Sequence, residues 1–191
     1  FDFVPLRKPV YIVHEPKFSN IGSANLNCPH CNGYLTRFPQ RKTKCPYCDR
    51  IIYSRSRPLD RKKVLLNDEE SEIVEKEWIE FNKYQHLTRI ISAIIPENVD
   101  AILSGVYEEL RSSLRKEPTI GEMLWEINKR KSEQSLKTGM FFQFRYHVLF
   151  SSDILKYEDR DLESLRYLLQ VIYLDMNGIT NTGNSKSKKA F

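Results

Sequence analysis

The sequence lacks long apolar runs. Its nearest approach, residues 139–155, is interrupted by polar or charged side chains at Gln143, Arg145, His147 and Asp153. It therefore falls short of the roughly 18 uninterrupted apolar residues that a membrane-spanning helix needs, and we predict no transmembrane helix. The N-terminus also lacks the charged start, apolar block and small-residue cleavage site of a secretory signal. We therefore expect a cytoplasmic location and no membrane partner.

Catalytic motifs are missing as well. Seven glycines leave little material for phosphate-binding loops, and the chain contains no Walker loop, no Gly-x-Ser-x-Gly and no dinucleotide fingerprint. The four histidines are scattered singly, at His14, His30, His86 and His147. A zinc-supported nuclease of the His-Asn-His type would need a histidine beside the cysteines, and only His30 qualifies by position. We expect a protein without enzymatic activity and predict no catalytic residue.

Cysteine is confined to one short stretch, which leaves no thiol for a separate disulfide framework. Two Cys-x-x-Cys pairs, thirteen residues apart, comprise Cys28, Cys31, Cys45 and Cys48. Each pair places two sulfurs on one side of a tight turn, and two such turns face to face form the tetrahedron that Zn²⁺ accepts from thiolates. A redox pair would need a βαβ context, which is absent, and two disulfides would conflict with the expected compartment.

The residues around the cysteines support tight turns. Asn32 and Asp49 follow the second cysteine of each pair, and both residue types tolerate the left-handed backbone conformation that such turns need. His30 lies inside the first pair. Because four thiolates are already available, we interpret His30 as a solvated surface residue and not as a ligand.

Both pairs read Cys-Pro-x-Cys, and with this spacing residues 28–57 resemble the zinc-ribbon superfamily. The resemblance implies that Cys28, Cys31, Cys45 and Cys48 bind one structural Zn²⁺. Zinc ribbons serve nucleic-acid, protein and purely structural roles alike, so the resemblance implies the metal and leaves the function open.

The chain is organised around this ribbon in five consecutive segments. We predict an extended arm over 1–27, the ribbon over 28–57, a basic connector over 58–66, a helical domain over 67–178 and a disordered tail over 179–191. Two strands are expected in the ribbon, at Tyr34–Phe38 and Ile51–Arg55. The fold class is therefore mainly α, an irregular helical bundle or short helical solenoid preceded by a small β zinc ribbon.

Apolar residues at helical spacing, together with capping patterns, predict five helices. The first begins at Asn67, whose capping-box pattern includes Glu70, and ends before Pro96. The others are expected at Glu97–Arg115, from Thr119 to about Leu136, at Met140–Tyr157 and at Leu162–Asn177. Thr119 and Glu122 form a second capping-box pattern at the start of the third helix. We expect Met140–Tyr157 to be the buried central helix, because Phe and Leu lie on most of its sides.

The last two helices also resemble one tetratricopeptide-type helix pair. Leu174, Asp175, Met176 and Asn177 stand where that repeat often has Leu-Asp-Pro-Asn. No period of about 34 residues is evident upstream.

A dense cluster of positive charge follows the first cysteine pair. Residues 37–63 contain ten basic and two acidic residues, a net charge of +8 in a chain whose total is +5. Tyr34, Phe38, Tyr47 and Tyr53 alternate with the basic residues and could stack on unpaired bases. The ten predicted nucleic-acid-binding residues are Arg37, Arg41, Lys42, Lys44, Arg50, Arg55, Arg57, Arg61, Lys62 and Lys63.

This cluster leaves two functions open. Clustered Arg and Lys on a small scaffold bind phosphates and release counterions, which indicates an adaptor or regulator that binds nucleic acid through the ribbon and protein through the helices. The alternative is a structural or assembly protein whose ribbon only supports folding and whose basic face binds an acidic protein. In that case the cations would offset the −2 charge of a zinc ion with four thiolates, and the aromatic residues would form the ribbon's small core.

Overall fold

The structure is a computed structural model, which describes residues 15–177. Residues 1–14 of the predicted arm and the whole predicted tail lie outside this range. The described part contains a three-stranded antiparallel sheet followed by five helices: β1 Thr43–Lys44, β2 Ile51–Ser56, β3 Lys63–Leu66, α1 Asp68–Ile94, α2 Val99–Leu114, α3 Ile120–Lys137, α4 Phe141–Tyr157 and α5 Asp161–Asn177. The predicted mainly helical fold with a small sheet is confirmed.

The described chain forms two compact units, residues 15–85 and 86–177, and the division falls within α1. Each unit has its own apolar core. Among residues 15–177 no single helix is long and apolar enough to cross a bilayer, and α1 with α2 reaches the required length and composition only as a bent pair.

The sheet of the first unit has the order β1-β2-β3. Ile52 and Ser54 of β2 point into the unit and are buried, whereas the end of the strand is exposed. The predicted strand at Ile51–Arg55 is confirmed. The predicted strand at Tyr34–Phe38 is wrong, because β1 and β3 already occupy both edges of β2. In that segment only an isolated bridge forms, between Asn27 and Tyr34.

β3 lies where the sequence suggested a connector. Val64, Leu65 and Leu66 are fully buried, and Ser23 extends the sheet by exchanging two backbone hydrogen bonds with Leu65, of 2.8 and 3.1 Å. This approach requires Gly22, whose φ is +81° and whose added Cβ would lie 2.5 Å from the side chain of Leu66.

Both predicted capping boxes are present. The side chain of Asn67 accepts a hydrogen bond from the Glu70 N–H at 2.9 Å, and the Glu70 carboxylate accepts one from the Asn67 N–H at 2.9 Å. Thr119 and Glu122 form the same reciprocal pair at the start of α3. These bonds satisfy backbone donors that the first helical turn leaves free.

The second unit is built around one core, to which α1 through α4 contribute Leu87, Ile90, Leu103, Met123, Leu124 and Ile154, among others. Helices α4 and α5 run antiparallel. Arg145 near the start of α4 pairs with Asp175 near the end of α5, and Ser152 bonds to Ser164 at 2.8 Å. The predicted helix pair is therefore present, while its likeness to a tetratricopeptide repeat stays a prediction.

Helix α4 is less buried than the sequence suggested. It packs between α3 and α5, yet the Phe142 side chain at its start is 55% exposed. The buried side of α4 consists of Val148, Ser152, Ile154 and Leu155. The expectation of burial on most sides is wrong because neighbouring helices cover only part of the helix circumference.

Two partly buried histidines make the stability of the second unit depend on pH. Burial lowers the pKa of His86, against the opposing effect of Asp153, and burial followed by the charge of Lys131 lowers the pKa of His147. Each histidine therefore binds a proton more readily in the unfolded chain, where its pKa is about 6.5. Stability is full above this value and falls as the pH drops below it.

We expect the urea midpoint of the full chain to be lower at pH 5.5 than at pH 7.5 (both chosen around the unfolded value of about 6.5). The variant H86Q/H147Q should show a smaller difference between the two conditions. An equal difference in the variant would assign the pH dependence to other groups.

Candidate metal centre

The two cysteine pairs lie in turns that share the same backbone bonds. In the first turn the Cys28 N–H donates to the Gly33 carbonyl at 2.9 Å, and the Asn32 N–H donates to the Cys28 carbonyl at 2.9 Å. The second turn repeats these bonds at 2.8 and 3.0 Å with Cys45, Asp49 and Arg50. Asn32 and Asp49 have φ of +59° and +56°, which confirms the left-handed conformation expected for both.

Tyr47 joins the two turns. Its ring lies so close to Gly33 that an added Cβ there would be 2.6 Å from the ring. The Tyr47 hydroxyl donates to the Tyr34 carbonyl at 2.9 Å. The absence of a side chain at Gly33 therefore allows the second turn to approach the first.

This approach brings the four sulfurs into one cluster. The Cys28 and Cys48 sulfurs are 3.8 Å apart, those of Cys31 and Cys45 are 3.7 Å apart, and all four lie within 4.8 Å of one another. A tetrahedron with metal–sulfur bonds of about 2.3 Å has sulfur–sulfur edges of about 3.8 Å. The cluster therefore has the size and the ligand set to hold a metal ion.

The surroundings of the sulfurs shift their pKa values in opposite directions. Burial raises the pKa of Cys45, but the backbone N–H groups of Tyr47 and Cys48 overcome this effect and lower it to about 7. The Arg50 N–H lowers the pKa of Cys48, but burial and the neighbouring sulfurs raise it to about 12. The neighbouring sulfurs thus favour the thiolate at Cys45, whose pKa the Cys28 and Cys48 side chains also help to lower, and the neutral thiol at Cys48.

His30 is not a fifth candidate ligand. Its Nε2–H donates to the Ile51 carbonyl at 2.8 Å, so this ring nitrogen faces the backbone of β2. The residue is half-buried. The interpretation of His30 as a solvated surface residue is therefore wrong, because the ring helps to hold the first turn on the sheet.

Four of the predicted phosphate-binding residues lie together. They line one open concavity of about 730 Å³ beside the second cysteine turn, and all four are exposed: Arg37, Arg41, Lys42 and Lys44. Phe38 and Tyr47 line the same concavity, and we call this surface the basic concavity. Lys44 also pairs with Asp49 at 3.2 Å, and Lys42 lies 4.9 Å from the centre of the Tyr53 ring.

Two other basic residues support the fold. Arg57 is only 7% exposed; it donates to both carboxylate oxygens of Asp60, at 2.8 and 2.9 Å, and to the Ile21 carbonyl at 3.2 Å. The guanidinium of Arg61 lies 4.5 Å from the centre of the Trp78 ring and 4.4 Å from that of Phe81. The sequence analysis predicted neither the pairing of Arg57 with Asp60 nor the position of Arg61 over the aromatic rings. The Arg57-x-x-Asp60 spacing across a Pro-containing turn was a signal for the pairing.

The remaining four basic residues lie outside the basic concavity. Arg50 is exposed, Arg55 lies 3.6 Å from Glu75, Lys62 lies 3.5 Å from Asp60, and Lys63 donates to Gln40 at 3.0 Å. The positive cluster in the sequence is therefore divided in space between one open surface and several local contacts.

Comparison of the chain with protein-family models, with curated proteins and with solved structures gives no match. The resemblance of residues 28–57 to zinc ribbons stays a prediction. The case for function therefore depends on the cysteine cluster and the charged surface beside it.

Proposed function

We propose that the four cysteines bind one structural Zn²⁺ and that the chain is a non-enzymatic adaptor or regulator. Soft thiolates at tetrahedral spacing favour zinc, and four protein ligands leave no open coordination position for catalysis. The sulfur–sulfur distances of 3.7 and 3.8 Å support this assignment. A cytoplasmic, reducing compartment would keep the thiols available to the metal.

We further propose that the basic concavity binds single-stranded nucleic acid. The observation that carries this proposal is the convergence of Arg37, Arg41, Lys42 and Lys44 on one open surface that also contains Tyr47. Positive grooves lined with aromatic rings bind single strands by contacting the phosphates and stacking on the bases. The helical unit would bind a protein.

The alternative is a structural protein whose basic face binds an acidic protein partner. The internal roles of Arg57 and Arg61 favour it, because part of the positive charge is used within the fold. An anionic polypeptide would then compete with, or replace, nucleic acid at the same surface.

Fluorescence anisotropy with a mixed-sequence single strand of DNA and of RNA, at several salt concentrations, separates these functions. We expect K42Q/K44Q to reduce the slope of log K against log salt by about 1.4, since each phosphate contact to a single strand contributes about 0.7. The matched control K76Q/K129Q removes the same charge from exposed lysines outside the basic concavity and should change the slope little.

An equal reduction of the slope in K42Q/K44Q and in K76Q/K129Q would contradict a specific binding surface, because only the net charge of the chain would then matter. Binding to poly-glutamate with no measurable binding to either nucleic acid would favour the structural alternative. In every variant the zinc content should stay at one ion per chain. A change in binding can then be assigned to the charged surface and not to loss of the metal.

A further inference from the structure

Helix α5 has one apolar face that the rest of the chain leaves exposed. Its inner side packs on the unit through the buried residues Ser164 and Val171 and through Tyr167, whose ring meets that of Trp125 edge-on at 5.6 Å. The outer side carries five apolar residues at alternating steps of three and four: Leu162, Leu165, Leu169, Ile172 and Met176. We call this surface the α5 seam.

The α5 seam is the centre of an apolar patch that is larger than usual for a monomer. In chain order its five side chains are 79%, 50%, 57%, 53% and 69% exposed, and Leu168 and Tyr173 beside them are 39% and 64% exposed. Together these seven residues expose on the order of 700 Å², whereas the largest patch on a typical monomer is about 300 to 600 Å². A standard protein interface buries about 800 Å² from each partner, so this single face nearly provides one half of such an interface.

We propose that the α5 seam binds the same seam of a second copy of this chain, in parallel. Steps of three and four average about 3.5 residues, which is the repeat that keeps two α-helices in continuous contact. Leu162, Leu169 and Met176 then take the a positions and Leu165 and Ile172 the d positions. The interface buries five apolar layers from each helix.

The charges that flank the seam set the direction of the two helices. Asp161 lies at the g position before the first layer, and Arg166 lies at the following e position. In a parallel pair, Asp161 of each copy faces the partner's Arg166, because g and the next e′ are neighbours across a parallel seam. Among the described residues neither Asp161 nor Arg166 forms an ion pair within 4.0 Å. Arg166 attracts Glu163 of its own helix at longer range, but Glu163 is already paired with Arg160, so both charged groups can reach a partner.

An antiparallel pair would lose this complementarity. When Leu165 of one helix packs on the partner's Leu169, Arg166 lies near the partner's Arg166 and Asp161 near the partner's Asp175. Both contacts join like charges, and only four layers align. Asp175 is also held by Arg145 of its own chain, with one bond of 2.6 Å.

This inference deepens the protein-binding part of the proposed function and depends on that part alone. Zinc binding and nucleic-acid binding involve residues 28–48 and have separate measurements. Loss of either would leave self-association unchanged, and loss of self-association should leave the zinc content and the salt slope per chain unchanged.

Sedimentation velocity of the full chain over a wide concentration range tests the proposal. We expect a reversible dimer of the 22.6 kDa chain. L165E/I172E should weaken dimerisation at least 100-fold, because it places charges in two adjacent d layers. The matched control I79E/L136E introduces the same charges at positions that are 67% and 44% exposed on α1 and α3, and it should dimerise like the parent chain.

Circular dichroism distinguishes loss of association from unfolding, since both seam positions are at least half exposed and their replacement should preserve the helical signal. A monomer at every concentration would overturn the proposal, whether the seam binds another protein or another segment of this chain. A dimer that L165E/I172E leaves intact would overturn it equally.

Charge reversal tests the parallel direction. D161R alone or R166D alone should weaken self-association about tenfold, since each places like charges together twice in the symmetric dimer. An equimolar mixture of the two variants should restore affinity, because both contacts across the mixed pair are then attractive. Stronger self-association of D161R would instead indicate an antiparallel pair and would overturn the parallel arrangement.

Discussion

Removal of the metal is expected to unfold residues 28–57 while the helices of the second unit stay folded. Structural zinc supplies about 10 to 16 kcal/mol to small cysteine domains. The apolar cluster around the cysteines buries Leu35, Ile52 and Leu65 besides Cys28 and Cys45, and has Phe38 and Cys48 partly buried against it. This cluster is too small to hold the turns without the metal, whereas the second unit has a core of its own.

Hydrogen exchange with and without a strong chelator measures this effect residue by residue. Protection should vanish over residues 28–57 and persist over 100–157. C45S should lose zinc and behave like the chelated protein, whereas H30Q should retain one zinc ion per chain, since His30 bonds to the Ile51 carbonyl and not to the cluster.

Two outcomes would contradict this prediction. Iron, or less than about half an equivalent of zinc, in protein purified without chelator would refute the metal assignment. Loss of protection over the whole chain would show that the two units unfold together.

Replacement of Arg57 is expected to be the most destabilising change among the ten basic residues. Its side chain is 8% exposed and its bonds to Asp60 are bidentate. R57M would leave the Asp60 carboxylate with only the exposed Lys62, 3.5 Å away, and would remove the donor that satisfies the Ile21 carbonyl. Removing the partner of such an inward-facing polar group costs about 1 to 3 kcal/mol. R50M, at an exposed position of the same charge, should change stability by less than about 0.5 kcal/mol.

Urea unfolding of both variants measures this difference. The double variant R57M/D60N should lose less free energy of unfolding than the two single variants combined, because it leaves no unpaired charge. Additive losses would show that the two side chains do not interact.

The Arg57–Asp60 pair also predicts a pH dependence of stability. Its bonds hold the pKa of Asp60 well below its usual range. The contribution of the pair to stability is therefore present above about pH 4 and is lost as the pH falls further.

The basic residues of the positive cluster serve either the fold or an open surface, and the local environment decides which. A guanidinium that satisfies a carboxylate and a backbone carbonyl stabilises the fold, and an exposed one beside an open concavity attracts phosphates. Arg57 and Arg41 are only sixteen positions apart, yet they have these two different environments. Nucleic-acid binding is therefore proposed for the four residues of the basic concavity and for none of the others.

The sequence alone determined the features that depend on neighbouring residues. Cys-x-x-Cys spacing predicted the two turns, Asn67 with Glu70 and Thr119 with Glu122 predicted the helix starts, and the apolar spacing predicted all five helices to within a few residues. Turns and caps are made by residues two to five positions apart, so their geometry follows from local order.

Only the tertiary structure decided which segments pair across the sheet and which charges remain free. Lys63–Leu66 became a strand in place of Tyr34–Phe38 because β2 has two edges and the more apolar segment buries Val64, Leu65 and Leu66 beside it. The α5 seam was visible in the sequence as an apolar stripe, but periodicity cannot distinguish a stripe that packs on its own unit from one that is exposed. That distinction depends on which residues of α5 contact α4, and such contacts join positions far apart in the chain.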